Sequence, residues 1–258
     1  MRRACLLRPF GTLGRQLNQP GGCNSSTIGM VGVTAGEEGL LMDPVIAKEA
    51  EKVRRIYDKR AARYARYDSS AGQPWVAALR SNLFGRARGD VLELGVGSGA
   101  TFAHYPAQLA GLTGLDISEG MLALARSRAA SLPFPVTLHV ADFQTLPFPS
   151  ASFDTVTSSL ALCGIPDPGR LFDEIGRVLR ADGQLLAMEH IRPPNPVLGV
   201  LADITDPLYN RFAGCHLNRR TPDLLRSAGY TVTILNRRFL NAVVTLVAVP
   251  PTGNSQNS

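Results

Sequence analysis

The run VLELGVGSGATF, Val91 to Phe102, constrains this chain more than any other stretch, because it joins a buried strand to a turn that only glycine makes easily. Val91, Leu92 and Leu94 suit a central parallel strand. Gly95, Gly97 and Gly99 let the backbone turn tightly and approach a ligand that any Cβ would obstruct. The pattern predicts a strand, a glycine turn and a helix opening after it. A second strand, Leu112 to Asp116, ends in an acid 17 positions after Gly99, about where a strand-end carboxylate accepts both hydroxyls of a ribose. Together the two strand ends predict a nucleotide cradle.

Past the glycine turn, strands and helices alternate in the order that builds a parallel sheet covered on both faces. Ser118 caps a helix running to about Ala130, Val136 to Val140 forms a third strand, and Phe153 to Ser158 a fourth. Asp167 before Pro168 starts a helix that ends near Leu179. A turn at Asp182 and Gly183 leads to a fifth strand, Gln184 to Glu189. Thr221 with Pro222 starts the next helix and Gly229 closes it. Tyr230 to Asn236 and Val243 to Val249 then follow with no helix between them, so they pair antiparallel. The fold class predicted is α/β: a doubly wound, mostly parallel sheet with a C-terminal antiparallel hairpin. Before the glycine turn, Ile46, Ala50, Val53, Tyr57, Ala61 and Tyr64 recur at helical spacing, and Lys48 to Arg66 holds eight basic and three acidic residues. That segment is an amphipathic helix with a basic outer face, either merely solvated or lying on an anionic membrane surface or near an anionic substrate.

At 258 residues and 45% hydrophobic, the chain has the core of one domain with appendages. We expect a domain over 42–250, a flexible tail over 251–258 and a disordered basic tail over 1–41, whose first 36 residues carry Arg2, Arg3, Arg8 and Arg15 and no acid. Leu6, Phe10, Leu13 and Leu17 at helical spacing favour a transit peptide and a mitochondrial location; Pro9, Gly11 and Gly14 favour a bacterial extension, or a start at Met42, and a cytoplasmic one. No apolar run approaches the roughly 18 to 20 residues of a membrane-spanning helix, so membrane contact is peripheral. No nucleic acid is expected as partner, because the basic helix lacks interleaved aromatics. Cys5, Cys23, Cys163 and Cys215 are scattered without a CxxC pair, which argues against zinc and against a disulfide framework.

From Gly95 the glycine register is GxGxG, with Ala100 where the third glycine of a dinucleotide fingerprint would fall. Glu93, Gly95, Gly97 and Gly99 instead match the ExGxGxG motif, and the chain resembles the class I S-adenosylmethionine-dependent methyltransferases over roughly Tyr57 to Val249. The resemblance is to their ubiquinone/menaquinone-methyltransferase-like (type 11) superfamily. It implies a seven-stranded sheet and S-adenosylmethionine as methyl donor, its amino-acid portion at the glycine turn and Glu93 buttressing the loop. It further implies Asp116 at the ribose, Ile117 among the donor-binding residues, Asp142 in HVADF at the adenine amino group, the Phe143 amide facing the ring, and Ser159, Leu160 and Ala161 in the pocket wall. YDKRAARY, Tyr57 to Tyr64, is similar to the YDxxAxxYD cap of quinone C-methyltransferases and related lipid N-methyltransferases, with Ala65 in place of the final Asp; it implies Tyr64 as a lid over the donor. LCGIPD, AMEHIRPP and DPLYNRFAGCHLNR resemble the branch that includes alkyl thiol methyltransferases. The Pro-rich insertion 192–220 stands where a substrate lid would.

Methyl transfer from a sulfonium is an in-line displacement on an activated donor, so the enzyme mainly aligns the acceptor, excludes water and sometimes takes a proton. His190, ending the fifth strand, is the first candidate base and His216 in the lid the second; each also reads as a hydrogen-bonded structural histidine. Asp154, at the start of its strand and away from the ligand edge, reads as structural, and Cys163 and Cys215 as packing residues, with no metal cluster. The acceptor expected is small or lipid-like: a thiol, a quinone or phenol, or a phospholipid amine. A non-catalytic partner protein of the same fold and a nicotinamide-dependent oxidoreductase are the alternatives.

Overall fold

The apolar strands in the middle of the chain are covered on both faces, and successive residues of one strand feed two different cores. Val91 packs with Leu112, Leu122 and Phe84, whereas Leu92 packs with Val156, Phe172 and Ile175. The computed structural model describes residues 44–66 and 74–251, the side chains of 64–66 excepted. The tail expected over 1–41 and all but the first residue of that over 251–258 lie outside them. No described helix is long and apolar enough to cross a membrane.

Strands β1 (Asp90–Leu94), β2 (Gly111–Asp116), β3 (Val136–Val140), β4 (Phe153–Ser159) and β5 (Leu179–His190) pair in parallel. Two more strands, β6 (Thr231–Arg238) and β7 (Val243–Val249), form an antiparallel pair, with β7 also antiparallel to β5. The order is β3-β2-β1-β4-β5-β7-β6, the predicted doubly wound sheet with its terminal hairpin. The order reverses between β1 and β4, and at such a switch point the strand carboxyl ends open a crevice. Around the sheet lie α1 (Pro44–Arg66), α2 (Pro74–Phe84), α3 (Glu119–Ala129), α4 (Pro168–Val178), α5 (Pro196–Ala213) and α6 (Thr221–Ser227). Ser118 caps α3 by accepting from the Met121 N–H, and Asp167 caps α4 by accepting from that of Arg170.

Two elements depart from the sequence expectation, and a third was not assigned by it. The glycine turn opens one 3-10 turn, Phe102–His104, and no α-helix, because Pro106 holds Tyr105 extended (φ −81°, ψ 148°). The expected turn at Asp182 and Gly183 is absorbed within β5 as an irregularity, the register passing from Phe153↔Leu179 to Thr155↔Gln184. The Pro-rich insertion contains the 18-residue α5, which starts at Pro196 behind the Asn195 cap and ends at Gly214 in left-handed backbone (φ 70°).

Asp154 sits at the amino end of β4, away from the crevice. Its Oδ2 accepts from the Asp90 N–H at 2.8 Å and pairs with Arg180. Burial alone would raise its pKa, but the Asp90 N–H and Arg180 bring it below the ordinary value. A Cβ on Gly89 (φ 62°) would fall 2.0 Å from Asp154 Oδ2, so this corner closes only around glycine. Asp154→Ala is expected to lower stability by about 1–2 kcal/mol in urea unfolding at pH 7. The loss should shrink as the pH falls through the carboxyl's depressed pKa, while any ligand affinity of the crevice stays unchanged.

Candidate functional site

The crevice at the switch point is a cavity of about 220 Å³. Its walls come from the glycine loop after β1, from Asp116 and Ile117 at the end of β2, from Phe143 past β3, from Ser159 to Ala161 after β4, and from Tyr57 of α1. Gly95, Gly97 and Gly99 have φ of 68°, 54° and 74°, left-handed backbone that side chains strain. A Cβ on Gly95 would come within 2.4 Å of the Ala161 Cβ and fill the cradle. The Gly95 and Val96 N–H groups donate to the Leu115 carbonyl at 2.9 and 3.0 Å, which pins the loop to the end of β2.

Two buried acids border this loop. Asp116 accepts from the Gly97 N–H through Oδ2 at 2.8 Å and from the Ser118 N–H through Oδ1 at 2.9 Å. Each oxygen keeps a further acceptor site, and burial raises the carboxyl's pKa. Glu93, 1% exposed, accepts from Thr101 Oγ1 through Oε1 at 2.6 Å and so ties strand to loop. Its Oε2 and the Ser159 Oγ are buried without a hydrogen-bond partner, and both residues line the cavity. Such orphans are costly in a finished interior, and here both belong to residues that border the cavity. Burial pushes Glu93 up to about 7, against the opposing pull of hydrogen bonding to Thr101 and Tyr105 and of the nearby Arg80.

Of the residues expected at the donor, Glu93, Gly95, Gly97, Asp116, Ile117, Phe143 and Ser159 line the cavity. Gly99 stands behind it, where a Cβ would meet the Phe102 ring at 2.6 Å. Asp142 is not among the lining residues: its carboxylate accepts from the backbone N–H of Gln144 at 3.1 Å and from Nε2 of the same residue at 3.3 Å. The Tyr64 side chain lies outside the described residues. Neither histidine lines the cavity. His216 instead braces the end of α5, with Nδ1 2.8 Å from Asp206 Oδ2 and the Asn210 amide against its ring. His190 places Nδ1 3.9 Å from the Cys215 sulfur.

Two features escaped the sequence reading. Asp58 of α1 accepts from Ser118 Oγ at 2.6 Å, latching the cap helix to the residue that starts α3. The YD pair that opens YDKRAARY was the available signal, with Tyr57 on the cavity wall and Asp58 on the latch. The fold also gathers Cys163, His190 and Cys215, whose side-chain sulfur and nitrogen atoms lie within 4.8 Å of one another although their spacing along the chain suggested no cluster. The Cys163 thiol donates towards Cys215, which lowers the pKa of Cys215 and, with burial, raises that of Cys163. Burial works against protonation of His190, but Cys215 beside it raises the imidazole's pKa overall.

The displaced carboxyl of Glu93 makes stability depend on pH. Between the unfolded value of 4.5 and the folded value of about 7, the folded chain binds the additional proton. Stability from this group is therefore greatest at acid pH and declines by about 3 kcal/mol as pH rises through that window. Glu93→Gln is expected to remove that decline from the ligand-free protein, measured as urea unfolding at pH 5 and pH 7.5. A variant with the wild-type slope would move the displaced titration elsewhere.

A methyltransferase-domain family model matches residues 92–187. The demethylmenaquinone methyltransferase of Symbiobacterium thermophilum is 32% identical over 159 residues, 58% of this chain and 63% of that protein. The phosphatidylethanolamine N-methyltransferase of Cereibacter sphaeroides is 35% identical over 157 residues, 59% of this chain and 75% of that one. The chain thus spans less than two thirds of the first relative's length and three quarters of the second's. Among solved structures, the DhpI–SAM–HEP complex superposes with a TM-score of 0.62 at 19% identity, over 81% of this chain and all of that one. YcgJ of Bacillus subtilis gives 0.56 at 17% identity, over 69% of this chain and 98% of that one. These two likenesses concern the fold. With three quarters of a 35% identical methyltransferase covered, and the matched segment running from the glycine cradle through most of β5, the chain belongs to the class I S-adenosylmethionine-dependent methyltransferases.

Proposed function

We propose that this protein transfers a methyl group from S-adenosylmethionine to a lipid-like acceptor while seated on an anionic membrane surface. The observation that carries the reading is α5. Val197, Leu201, Ile204, Leu208 and Phe212 recur at three and four along it, and Ile204, Leu208 and Phe212 are 71%, 63% and 62% exposed. Scattered exposed apolar residues are ordinary, but a continuous stripe on one helix marks an interaction surface. The helix ends at Gly214 and Cys215, both on the cavity wall. Beside it lies α1, joined through Lys52 to Asn210 at 2.7 Å and through Arg60 to the Phe212 carbonyl at 2.7 Å. Lys48, Lys59 and Arg63 of α1 are exposed, whereas Arg54 and Arg55 pair with Glu51 and Asp58 on the same helix. An apolar stripe flanked by cations suits the headgroup region of an anionic bilayer. Relatives named for demethylmenaquinone and for phosphatidylethanolamine agree with a quinone-type ring or a phospholipid amine as acceptor.

The cavity suits the donor in three respects. The glycine cradle admits a ligand close to backbone, the two orphaned polar atoms await partners, and Asp116 retains acceptor capacity. Bound S-adenosylmethionine supplies a methyl group already activated on a sulfonium. Around it, Glu93 would accept from the donor's ammonium, Asp116 would accept from its ribose hydroxyls, and Ile117 and Phe143 would contact it from the cavity wall. Asp142 meets the adenine amino group only by sharing the carboxylate that Gln144 holds. The Asp58–Ser118 latch keeps the neighbouring Tyr57 in the cavity wall. With neither histidine on the wall, alignment of the acceptor and exclusion of water carry the rate, as suits an activated donor.

Labelled S-adenosylmethionine added to protein with vesicles of host lipids tests this reading. Label is expected in the lipid extract; label confined to the aqueous pool would replace the lipid with a small thiol or phenol, and donor binding without product would make the chain a non-catalytic partner. Asp116→Ala is expected to weaken donor binding by about 10–100-fold, since it removes charge-assisted hydrogen bonds of about 1.5–3 kcal/mol. Ile204→Glu with Leu208→Glu is expected to abolish cosedimentation with anionic vesicles and lipid methylation while leaving the donor dissociation constant unchanged.

A further inference from the structure

Cys163, His190 and Cys215 come from three separate elements: the 3-10 turn after β4, the last residue of β5 and the residue beyond the C-cap of α5. Their sulfur and imidazole nitrogen atoms all lie within 4.8 Å of one another. Both cysteines are free and buried. We propose that these three side chains form a binding site for one soft divalent cation of the zinc class, built into the wall between the cavity and the lid.

The donor chemistry is the first support. Two thiols and an imidazole select Zn²⁺ and its soft relatives over Mg²⁺ and Ca²⁺, which take oxygen ligands. Two cysteines that merely packed together would have no use for an imidazole nitrogen turned towards them, yet His190 Nδ1 stands 3.9 Å from Cys215 Sγ. Spacing is the second support. A tetrahedral ion about 2.3 Å from sulfur and about 2.0 Å from nitrogen separates its donors by roughly 3.4–3.8 Å. Donors already within 4.8 Å need to close by about 1.4 Å at most.

Backbone support is the third. Gly164 follows Cys163 and Gly214 precedes Cys215, and the two glycines touch: a Cβ on Gly164 would fall 2.7 Å from the Gly214 carbonyl oxygen. Absence of that Cβ is what lets the two cysteine-bearing loops meet. The Cys163 N–H donates to Glu189 Oε2 at 3.1 Å, and the Cys163 carbonyl accepts from the His216 N–H at 3.1 Å and from Arg219. Outer contacts of this kind hold ligands in place in metal sites. Three protein ligands leave a fourth position for water or a ligand heteroatom, the arrangement of sites that are not purely structural. Cys215 also lines the cavity, so an ion here would border it. The proposal does not depend on which acceptor is methylated.

The test uses the full chain, reduced with a phosphine and freed of metal, and titrated with Zn²⁺ against a chromophoric chelator. One ion per chain is expected, and Co²⁺ in its place should give thiolate charge-transfer absorption and the strong visible bands of tetrahedral cobalt. Cys163→Ser, Cys215→Ser and His190→Gln should each weaken binding by more than about a hundredfold, since loss of an outer partner alone costs about 10–100-fold. A Cys5→Ser/Cys23→Ser variant should bind as the wild type does. Should a ligand variant fail to fold, the wild type still decides the matter, because Zn²⁺ should protect Cys163 and Cys215 from alkylation in peptide mapping. Absence of stoichiometric binding, binding that survives all three ligand variants, or alkylation at these two cysteines indifferent to Zn²⁺ would overturn the site.

Discussion

One carboxylate holds the functional end of this molecule together. Asp116 takes the Gly97 N–H with one oxygen and the Ser118 N–H with the other, so the glycine loop and the start of α3 are fixed to the same residue. Ser118 passes the connection on, its hydroxyl donating to Asp58 of α1 while accepting from the Met121 N–H. Loop, helix start and cap therefore depend on a single buried acid, whose desolvation these backbone donors offset. A carboxylate so enclosed is already oriented before a ligand arrives, and preorganisation of this kind is where binding energy is conserved.

On the other side of the crevice, Glu189 has the matching part. This buried acid at the end of β5 accepts from Ser158 Oγ and from the N–H groups of Ala161, Leu162 and Cys163. It thereby shapes the turn after β4, where Leu160 is held in left-handed backbone (φ 61°) and donates its N–H to the Met188 carbonyl at 2.7 Å. A leucine in that conformation stores about 1–3 kcal/mol and persists only where neighbours over-determine it. Here they do, and the strained residue is a wall of the cavity.

Sheet and cradle were legible because their signals are local. Strand ends, glycine spacing and caps such as Ser118 and Asp167 act within a few residues, and they fell where the spacing put them. Asp154 was legible for the same reason, since a residue at the amino end of a parallel strand points away from the ligand edge. The first misreading was a competition between nearby residues: Pro106 stopped the helix that the glycine turn seemed to open. Within 192–220 no element was assigned, and the helix start that Asn195 and Pro196 form there went unread among the other prolines. The remaining misses are matters of crossing. His216 meets Asp206 across the turn at Gly214, and Cys163, His190 and Cys215 meet where β4, β5 and α5 end together. Spacing along a chain does not measure such distances.

The stripe on α5 has a consequence for the molecule away from any membrane. Apolar surface left in water forgoes about 25 cal/mol for each Å² that could be covered, and Val197, Ile204, Leu208 and Phe212 are each more than 60% exposed. In plain buffer the readiest cover is another copy of the same helix. The chain should then be least soluble in its freest state and best behaved in mild detergent, its colloidal habits following the stripe more than its net charge of +6.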